Sequence, residues 1–147
     1  WIFAATTFIY FRVSVTRGSQ TLIDVLGNIY RGILCVDRWG AYPKYHKGLI
    51  QLCWAQLKRD FKGIAKIGKV KLSSDAITFA KQMEKLRKKL MALWYIFKEG
   101  NMSRQELIQK TKPVRSAIKR HLKSYKDSPE KCVRTLSRKL LKQIDNL

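Results

Sequence analysis

Apolar and polar residues alternate along the first third of the chain in the manner of short strands. Residues 9–15 predict a half-buried strand, and residues 1–5 are predicted to be its hairpin partner. Ser19 predicts the start of a helix whose apolar spacing continues to residue 29. The continuous apolar run of residues 33–36 predicts a central strand buried on both faces and parallel to an earlier strand. Residues 49–53 predict one more short strand.

The rest of the chain has helical spacing almost throughout. Residues 54–67 predict a helix with its apolar residues on one face and its basic residues on the other. From residue 73 onward, apolar residues recur at steps of three and four, as in a helical hairpin or coiled coil. Ser103 begins a capping box, and Pro113 and Pro129 are each predicted to open a further helix.

These patterns place strands and helices in the front of the chain and only helices in the back. We therefore predict the α/β class, with a partial mixed sheet followed by an all-helical basic region. The predicted domains are residues 1–67 and residues 68–147. Four aromatic residues are predicted to lie in the core rather than on the surface: Trp54, Phe79, Trp94 and Phe97.

Positive charge sets this chain apart from most domains of its size. It has 31 Lys and Arg against 10 Asp and Glu, a formal net charge of +21. Six basic and two acidic residues fall in residues 1–50, whereas 25 basic and eight acidic residues fall in residues 51–147. Such a surface requires a polyanionic partner, either a nucleic acid or an anionic lipid surface.

The cysteine and hydropathy patterns bear on metal binding, on the cellular compartment and on membrane association. The three cysteines are far apart and form no CxxC pair, so two His residues cannot complete a zinc site with them. We interpret them as buried, reduced thiols of a cytoplasmic protein. The longest apolar stretch, residues 1–11, is too short for the roughly 20 residues of a membrane-spanning helix. We predict no membrane partner.

Asp37 is the residue most suited to chemistry. It follows the apolar run of residues 33–36 and precedes a loop with a glycine. Side chains at the carboxyl ends of strands leave the core and face a crevice, and a carboxylate there suits Mg²⁺. The alternative is a turn-forming Asp that accepts a hydrogen bond from its own backbone. Spacing alone favours that alternative.

Two motifs resemble the transposases of the insertion-sequence sixty-six family. An aromatic-rich hairpin and an Arg-Gly pair that opens a helix precede them, a helical insertion follows them, and these elements together cover nearly the whole chain. The more specific motif is Gln51-Leu52-Cys53-Trp54-Ala55-Gln56-Leu57-Lys58-Arg59-Asp60-Phe61, and the weaker one is Val36-Asp37-Arg38-Trp39-Gly40-Ala41-Tyr42. The resemblance implies a DDE enzyme on a ribonuclease-H-like fold, so that residues 1–67 would form a partial core of that kind.

The resemblance also implies a specific chemistry. DDE transposases hold two divalent ions, such as Mg²⁺, between three carboxylates for in-line attack on a phosphodiester. Asp37 matches the second carboxylate and metal ligand, and no residue of the chain falls at the first or third position. The chain also opens without Met. We therefore expect an internal transposase fragment that is inactive alone, with the metal held in the intact parent enzyme.

The sequence departs from the family pattern at two places near these motifs. Gln56 stands where the family usually has His, so a proton-transfer or structural role of that side chain is in doubt. Arg38 and Trp39 replace the more usual Gly-Tyr after the Asp, which would reshape the loop. Both departures are equally consistent with a divergent but active copy of the transposase and with a degenerating copy.

The implied partners are DNA, as transposon ends and target, and a further copy of the parent enzyme in its assembly. The predicted DNA contacts are seven basic residues on helices: Lys58, Arg59, Lys62, Arg87, Lys88, Lys119 and Arg120. No base-reading helix is evident, so these contacts would be non-specific and sensitive to salt. Two alternatives stay open at this point. One is a non-catalytic basic nucleic-acid-binding protein, and the weaker one is a basic amphipathic protein of anionic membranes.

Overall fold

The computed structural model describes residues 1–147, and its fold is mixed α/β with a large excess of helix. Six helices accompany two small sheets of two strands each. The chain forms two compact units, Trp1–Leu52 and Cys53–Leu147, which we call the front unit and the helical unit. The boundary between the units falls at the start of the helix predicted over residues 54–67. The division into domains at residues 67 and 68 stays a prediction.

The front unit begins with the predicted hairpin. Strand β1 (Ile2–Ala4) pairs antiparallel with β2 (Ile9–Phe11), with Ile2 opposite Phe11. The prediction that the second strand is half-buried is wrong, because all three residues of β2 are exposed and Val13 beyond it is 100% exposed. A sheet of two strands gives the alternating apolar side chains no second layer to pack against.

The second sheet of the front unit is parallel. Helix α1 (Gln20–Leu26) leads to strand β3 (Leu34–Val36), and helix α2 (Ala41–Tyr45) then connects β3 to strand β4 (Ile50–Leu52). Strands β3 and β4 pair in parallel register. The prediction that the third strand lies parallel to an earlier strand is therefore wrong, since its partner is the later β4.

Burial in the front unit is also lower than the sequence pattern indicated. In β3 only Val36 is buried, because the strand pairs with β4 alone and has no strand on its other edge. The prediction of a central strand buried on both faces is wrong for this reason. Helix α1 ends at Gly27, whose φ of 80° suits glycine, so Ile29 lies outside the helix and is exposed. None of the three cysteines is buried, contrary to our interpretation.

The helical unit consists of four helices packed in sequence. They are α3 (Trp54–Lys71), α4 (Ser74–Lys98), α5 (Arg104–Ser124) and α6 (Lys131–Leu141), followed by a short 3₁₀ turn, Ile144–Asn146. Helices α3 and α5 both pack on α4, and α6 packs on α4 and α5. Residues at helical spacing form the core, among them Leu57, Phe61, Met83, Leu86, Ile118, Leu122, Val133 and Leu140. None of the helices is both long enough and apolar enough to cross a membrane.

Phe79 occupies the centre of the helical unit. Its side chain is 0% exposed, and the rings of Phe61, His121 and Tyr125 lie with their centroids 6.5, 5.4 and 5.3 Å from its own. Burial lowers the pKa of His121, so this imidazole is neutral at physiological pH. Trp94 on the same helix is 46% exposed, so its predicted core position is wrong. Helix α4 is longer than α3, and Trp94 lies in the part that extends past it.

The helix starts agree with the sequence at two of three places. The capping box is confirmed: Glu106 N–H donates to Ser103 Oγ at 3.2 Å, and Ser103 N–H donates to Glu106 Oε2 at 2.8 Å. Pro129 lies just before α6, as expected. The prediction for Pro113 is wrong, because this residue lies inside α5. Helix α5 starts at its capping box and tolerates Pro113 on an exposed face, at a cost of about 3 kcal/mol relative to Ala.

Candidate functional site

Asp37 lies directly after β3, at the carboxyl end of the parallel strand pair. Strand β3 carries the chain out of the sheet there, and the loop before α2 begins. The Asp37 side chain is 33% exposed, so solvent reaches its carboxylate. Its position is the one predicted from the sequence.

Both carboxylate oxygens of Asp37 accept hydrogen bonds. The backbone N–H of Trp39 donates to Oδ1 at 2.8 Å, which is the turn-forming role that an Asp after a strand often has. Arg17 Nη2 donates to Oδ2 at 3.1 Å, and the two residues form an ion pair. Asp37 therefore serves as a turn former and also presents a charged, partly solvated group.

Trp39 holds Arg17 in place from two directions. Its indole Nε1 donates to the Arg17 carbonyl oxygen at 2.8 Å, and the Arg17 guanidinium carbon lies 4.9 Å from the centroid of its ring. Stacking of a guanidinium on an indole is attractive by about 0.5–1 kcal/mol at an exposed site. We call Arg17, Asp37 and Trp39 the carboxylate cluster. The sequence drew attention to Trp39 as a departure from the family loop, and the Arg-Gly pair before α1 was the only signal for Arg17.

Tyr42 on α2 completes the surroundings of the carboxylate cluster. Partial burial raises the pKa of the Tyr42 hydroxyl, and the negative charge of Asp37 raises it further, while the nearby Arg17 opposes both effects. The hydroxyl is consequently protonated at physiological pH and can donate a hydrogen bond. The Tyr42 ring meets the ring of Trp1 edge-on, with 6.1 Å between centroids.

The predicted DNA-contacting residues all lie in the helical unit. Exposed members are Arg59, Lys62, Lys88, Lys119 and Arg120, and Lys58 is half-buried. Arg87 differs, because its side chain is only 13% exposed and donates two hydrogen bonds of 2.7 Å to Glu84. Those bonds lower the pKa of Glu84. Arg87 is therefore committed to a contact within α4.

The sequence named Lys119 on α5 as a DNA contact, but the row of basic residues to which it belongs was missed. Lys112, Arg115, Lys119 and Lys123 are all exposed and recur at steps of three and four, so they share one face of the helix. We call these four residues the α5 stripe. Residues 107–124 contain six basic residues and no acidic residue. The sequence did contain a signal for this row, because its basic residues recur at the same helical period as the buried residues Ile118 and Leu122.

Basic residues on α6 are used differently. Arg134 donates to the Ser128 and Pro129 carbonyl oxygens, and Arg138 donates to the Lys126 carbonyl and to Asp127. These bonds tie the loop before α6 to the helix. The hydrogen bond from Arg138 and the neighbouring cations also lower the pKa of the Asp127 carboxyl. Arginine on α6 thus stabilises the fold of the helical unit.

Comparison with known families decides the identity of the chain. The model of the Transposase IS66 family matches residues 1–147, the whole chain. The chain belongs to the Transposase IS66 family. No curated protein and no solved structure matches it significantly. The resemblance found in the sequence is confirmed, and the chain is transposase-derived.

Family membership implies divalent metal, and the residues of this chain can be tested against that requirement. No group of three or more His, Cys, Asp or Glu side chains lies close enough together to hold a metal ion. Both oxygens of Asp37 accept from N–H donors, and the nearest acidic residue along the chain, Asp24, is paired with Arg12 at 3.1 Å. The donor set does not fit a two-metal site, so no reaction step is assigned to a metal here.

Proposed function

We propose that the chain is the part of an IS66 transposase that supplies one catalytic carboxylate, Asp37, and a helical surface that holds DNA. The observation that carries the proposal is the uncompensated charge of the helical unit, taken together with the family match. Residues 51–147 have 25 basic and eight acidic residues. The helical unit also has a complete apolar core, so its basic residues are free to remain at the surface.

DNA binding is proposed to involve α3 and α5. Helix α3 carries Lys58, Lys62, Lys66 and Lys69 at helical spacing, opposite its buried residues, and α5 carries the α5 stripe. Arg115 and Trp54 line the same small cavity, which places the middle of α5 beside the first turn of α3. Rows of Lys and Arg of this kind contact phosphates of the backbone and identify no base sequence.

Asp37 is proposed to act in phosphodiester chemistry only when other carboxylates join it. Its place after β3 is the crevice position of α/β sheets, and the resemblance of residues 36–42 to the family motif implies the role of the second carboxylate. Arg17 offsets its charge and Trp39 fixes its orientation. Because a single carboxylate cannot position two divalent ions, the chain by itself is proposed to be inactive.

The front unit is proposed to be a partial ribonuclease-H-like sheet. An apolar groove of about 730 Å³ lies within the unit and is lined by residues of β1, β2, α1 and β3. Strands β1 and β3 each pair with one other strand. A further extended segment in this groove would join the two small sheets into one mixed sheet, and it would cover the apolar side chains of Phe3, Leu22 and Val36.

The DNA-binding part of the proposal is tested by titrating labelled duplex DNA with the chain at several salt concentrations. We expect tight binding at low salt and a log–log slope of about −5 to −7, which corresponds to about six to eight phosphate contacts. Duplexes of different sequence should bind equally. Binding to single-stranded RNA, with none to duplex DNA, would favour the non-catalytic nucleic-acid-binding alternative and contradict this proposal.

The catalytic part is tested by building residues 1–147 into an active family transposase at the matching positions. Where the chimera cleaves DNA, Asp37→Asn should reduce cleavage by at least about 1,000-fold, because Asn carries no negative charge. The same substitution in the chain alone should leave its affinity for duplex DNA unchanged or slightly higher. Asp145→Asn is the matched control, because Asp145 is 97% exposed and lies outside both motifs, and it should keep cleavage near the wild-type rate. Equal losses for both variants would remove Asp37 from the catalytic role.

A further inference from the structure

The Arg17 guanidinium is the cation bound to Asp37 in this structure. Its Nη2 lies 3.1 Å from Asp37 Oδ2, and the other carboxylate oxygen accepts the backbone N–H of Trp39 at 2.8 Å. A carboxylate binds a divalent ion through its oxygen lone pairs, and a positive charge held beside those oxygens repels the ion. The ion pair therefore weakens Asp37 as a metal ligand, whatever other carboxylates join it.

Trp39 connects the two members of this ion pair. Its backbone N–H donates to Asp37, and its indole Nε1 donates to the Arg17 carbonyl oxygen at 2.8 Å. The Arg17 guanidinium carbon also lies over the Trp39 ring, 4.9 Å from its centroid. Arg17 is thus held at its backbone and at its charged end by one residue. Stacking on the indole favours the side-chain conformation in which the guanidinium meets Asp37.

Trp39 is also a position at which the chain departs from the usual loop of its family. In the motif that residues 36–42 resemble, Tyr more usually stands at this place. Tyr has no indole N–H, and its hydroxyl lies at the far end of the ring, so it does not reproduce the bond to the Arg17 carbonyl oxygen. The contacts that hold Arg17 on Asp37 consequently depend on a residue in which this chain differs from the family pattern.

We propose that Arg17, held by Trp39, is a positioning residue that keeps Asp37 in an ion-paired state with reduced affinity for divalent metal. The inference rests on the proposed catalytic role of Asp37. It also supplies a physical reason for the poor fit between the carboxylate cluster and the metal that family membership implies. Asp37 becomes available as a ligand when Arg17 turns away from it.

Exposure makes this ion-paired state reversible. The Arg17 and Asp37 side chains are 58 and 33% exposed, and a single N–H of the guanidinium meets the carboxylate. Exposed ion pairs with one hydrogen bond are weak and are screened by salt. Solvent can therefore replace Arg17, and the pair lowers the affinity of Asp37 for a cation without abolishing it.

Titration of the full chain with Mn²⁺ alone tests the proposal. Mn²⁺ bound at Asp37 broadens the NMR signal of the Trp39 backbone N–H, because this group is hydrogen-bonded to Oδ1 of the same carboxylate. Arg17→Gln should increase the broadening at a given Mn²⁺ concentration by about three- to tenfold. One positive charge a few ångströms from an exposed carboxylate lowers its affinity for a divalent ion by about that factor. The gain should disappear in the double variant Arg17→Gln with Asp37→Asn.

Two further variants separate the position of Arg17 from net charge and from the backbone hydrogen bond. Arg31→Gln removes the same charge from an exposed residue before β3, whereas Asp37 follows β3, and it should leave the broadening near the wild-type value. Trp39→Tyr keeps the net charge and the backbone N–H, but it removes the indole contacts of Arg17. It should increase the broadening by about two- to fivefold, the factor that corresponds to the loss of an exposed cation–π contact.

The inference is overturned if Arg17→Gln and Trp39→Tyr both give the wild-type broadening, or if Arg31→Gln gives the same gain as Arg17→Gln. A gain that persists in the double variant also overturns it, because the ion then binds at a different place. Trp39→Tyr changes no charge, so it decides the question if Arg17→Gln disturbs the amide signals of the whole front unit. These spectra need no cleavage. The catalytic role of Asp37, tested in the chimera, can therefore fail while the ion-paired state is confirmed, and the reverse.

Discussion

Replacing Lys112, Arg115, Lys119 and Lys123 with Gln is expected to weaken binding to duplex DNA by about 100-fold or more at about 50 mM salt. Each phosphate contact that is lost should also reduce the log–log salt slope by about one, so the slope should become shallower by about three to four. The loss should be the same for every DNA sequence, because the α5 stripe offers only contacts to the backbone.

The physical reason for choosing α5 is its local charge. Like charges at neighbouring positions of one helix face destabilise a helix by about 0.2–0.5 kcal/mol per pair. Glu106, the acidic residue of α5, lies in the first turn and is bonded to Ser103, and no acidic residue follows it in the helix to offset this cost. Asp145, from beyond α6, lies 4.0 Å from Arg115 but is 97% exposed. Phosphates would relieve that repulsion. Helix α3 carries a comparable row but includes Asp60.

A second quadruple variant with the same change in net charge distinguishes the effect of position from the effect of total charge. Lys126, Lys131, Lys139 and Lys142 are exposed and lie near Asp127, Glu130 and Asp145 in the sequence. Their replacement with Gln also lowers the formal charge by four, and we expect at most a tenfold loss of affinity. Anisotropy titrations of the two quadruple variants, with equal helical content checked first, provide the measurement. Equal losses of affinity for the two variants would mean that DNA binding depends on total charge and that the α5 stripe is not a distinct contact surface.

Local features of this fold could be predicted from the sequence because neighbouring residues determine them. The capping box at Ser103 and the buried face of α3 follow from residue types at fixed spacing, and both are found in the structure. The place of Asp37 followed from a short apolar run before a glycine loop. The most specific motifs of the sequence resemblance lie within residues 36–61, and the family model matches the whole chain.

Features that depend on distant residues could not be predicted in this way. The pairing of β3 with β4 requires knowing which strand comes to lie beside it, and the Arg17–Asp37 contact joins residues that are 20 positions apart. Pro113 shows a different limit. A proline favours the first turn of a helix, but a strong start at Ser103 and the packing of Ile118 and Leu122 outweigh that preference. The salt bridge between Arg87 and Glu84 also depends on side-chain rotamers, which the sequence spacing of the two residues does not determine.

The second large effect is expected from Phe79→Ala. Phe79 is 0% exposed and its ring contacts Phe61, His121 and Tyr125, so truncation removes aromatic contacts and leaves a cavity among α3, α4 and α5. A buried Phe replaced with Ala costs about 3–5 kcal/mol of unfolding free energy. Domains of this size have only about 5–15 kcal/mol in total. The variant should therefore be close to unfolded at about 37 °C.

Trp94→Ala is the matched comparison, because it removes a larger aromatic side chain from the same helix at a position that is 46% exposed. We expect a smaller loss, on the order of 1–2 kcal/mol, because nearly half of the Trp94 side chain is already in contact with solvent. Urea unfolding at about pH 7.5, followed by helical circular dichroism at low micromolar concentration, measures both values. The pKa of His121 is lowered by burial, so its imidazole is neutral in both states at this pH and does not complicate the comparison. Comparable losses for the two variants would mean that the end of α4 is packed as tightly as the core, which would contradict the 46% exposure of Trp94.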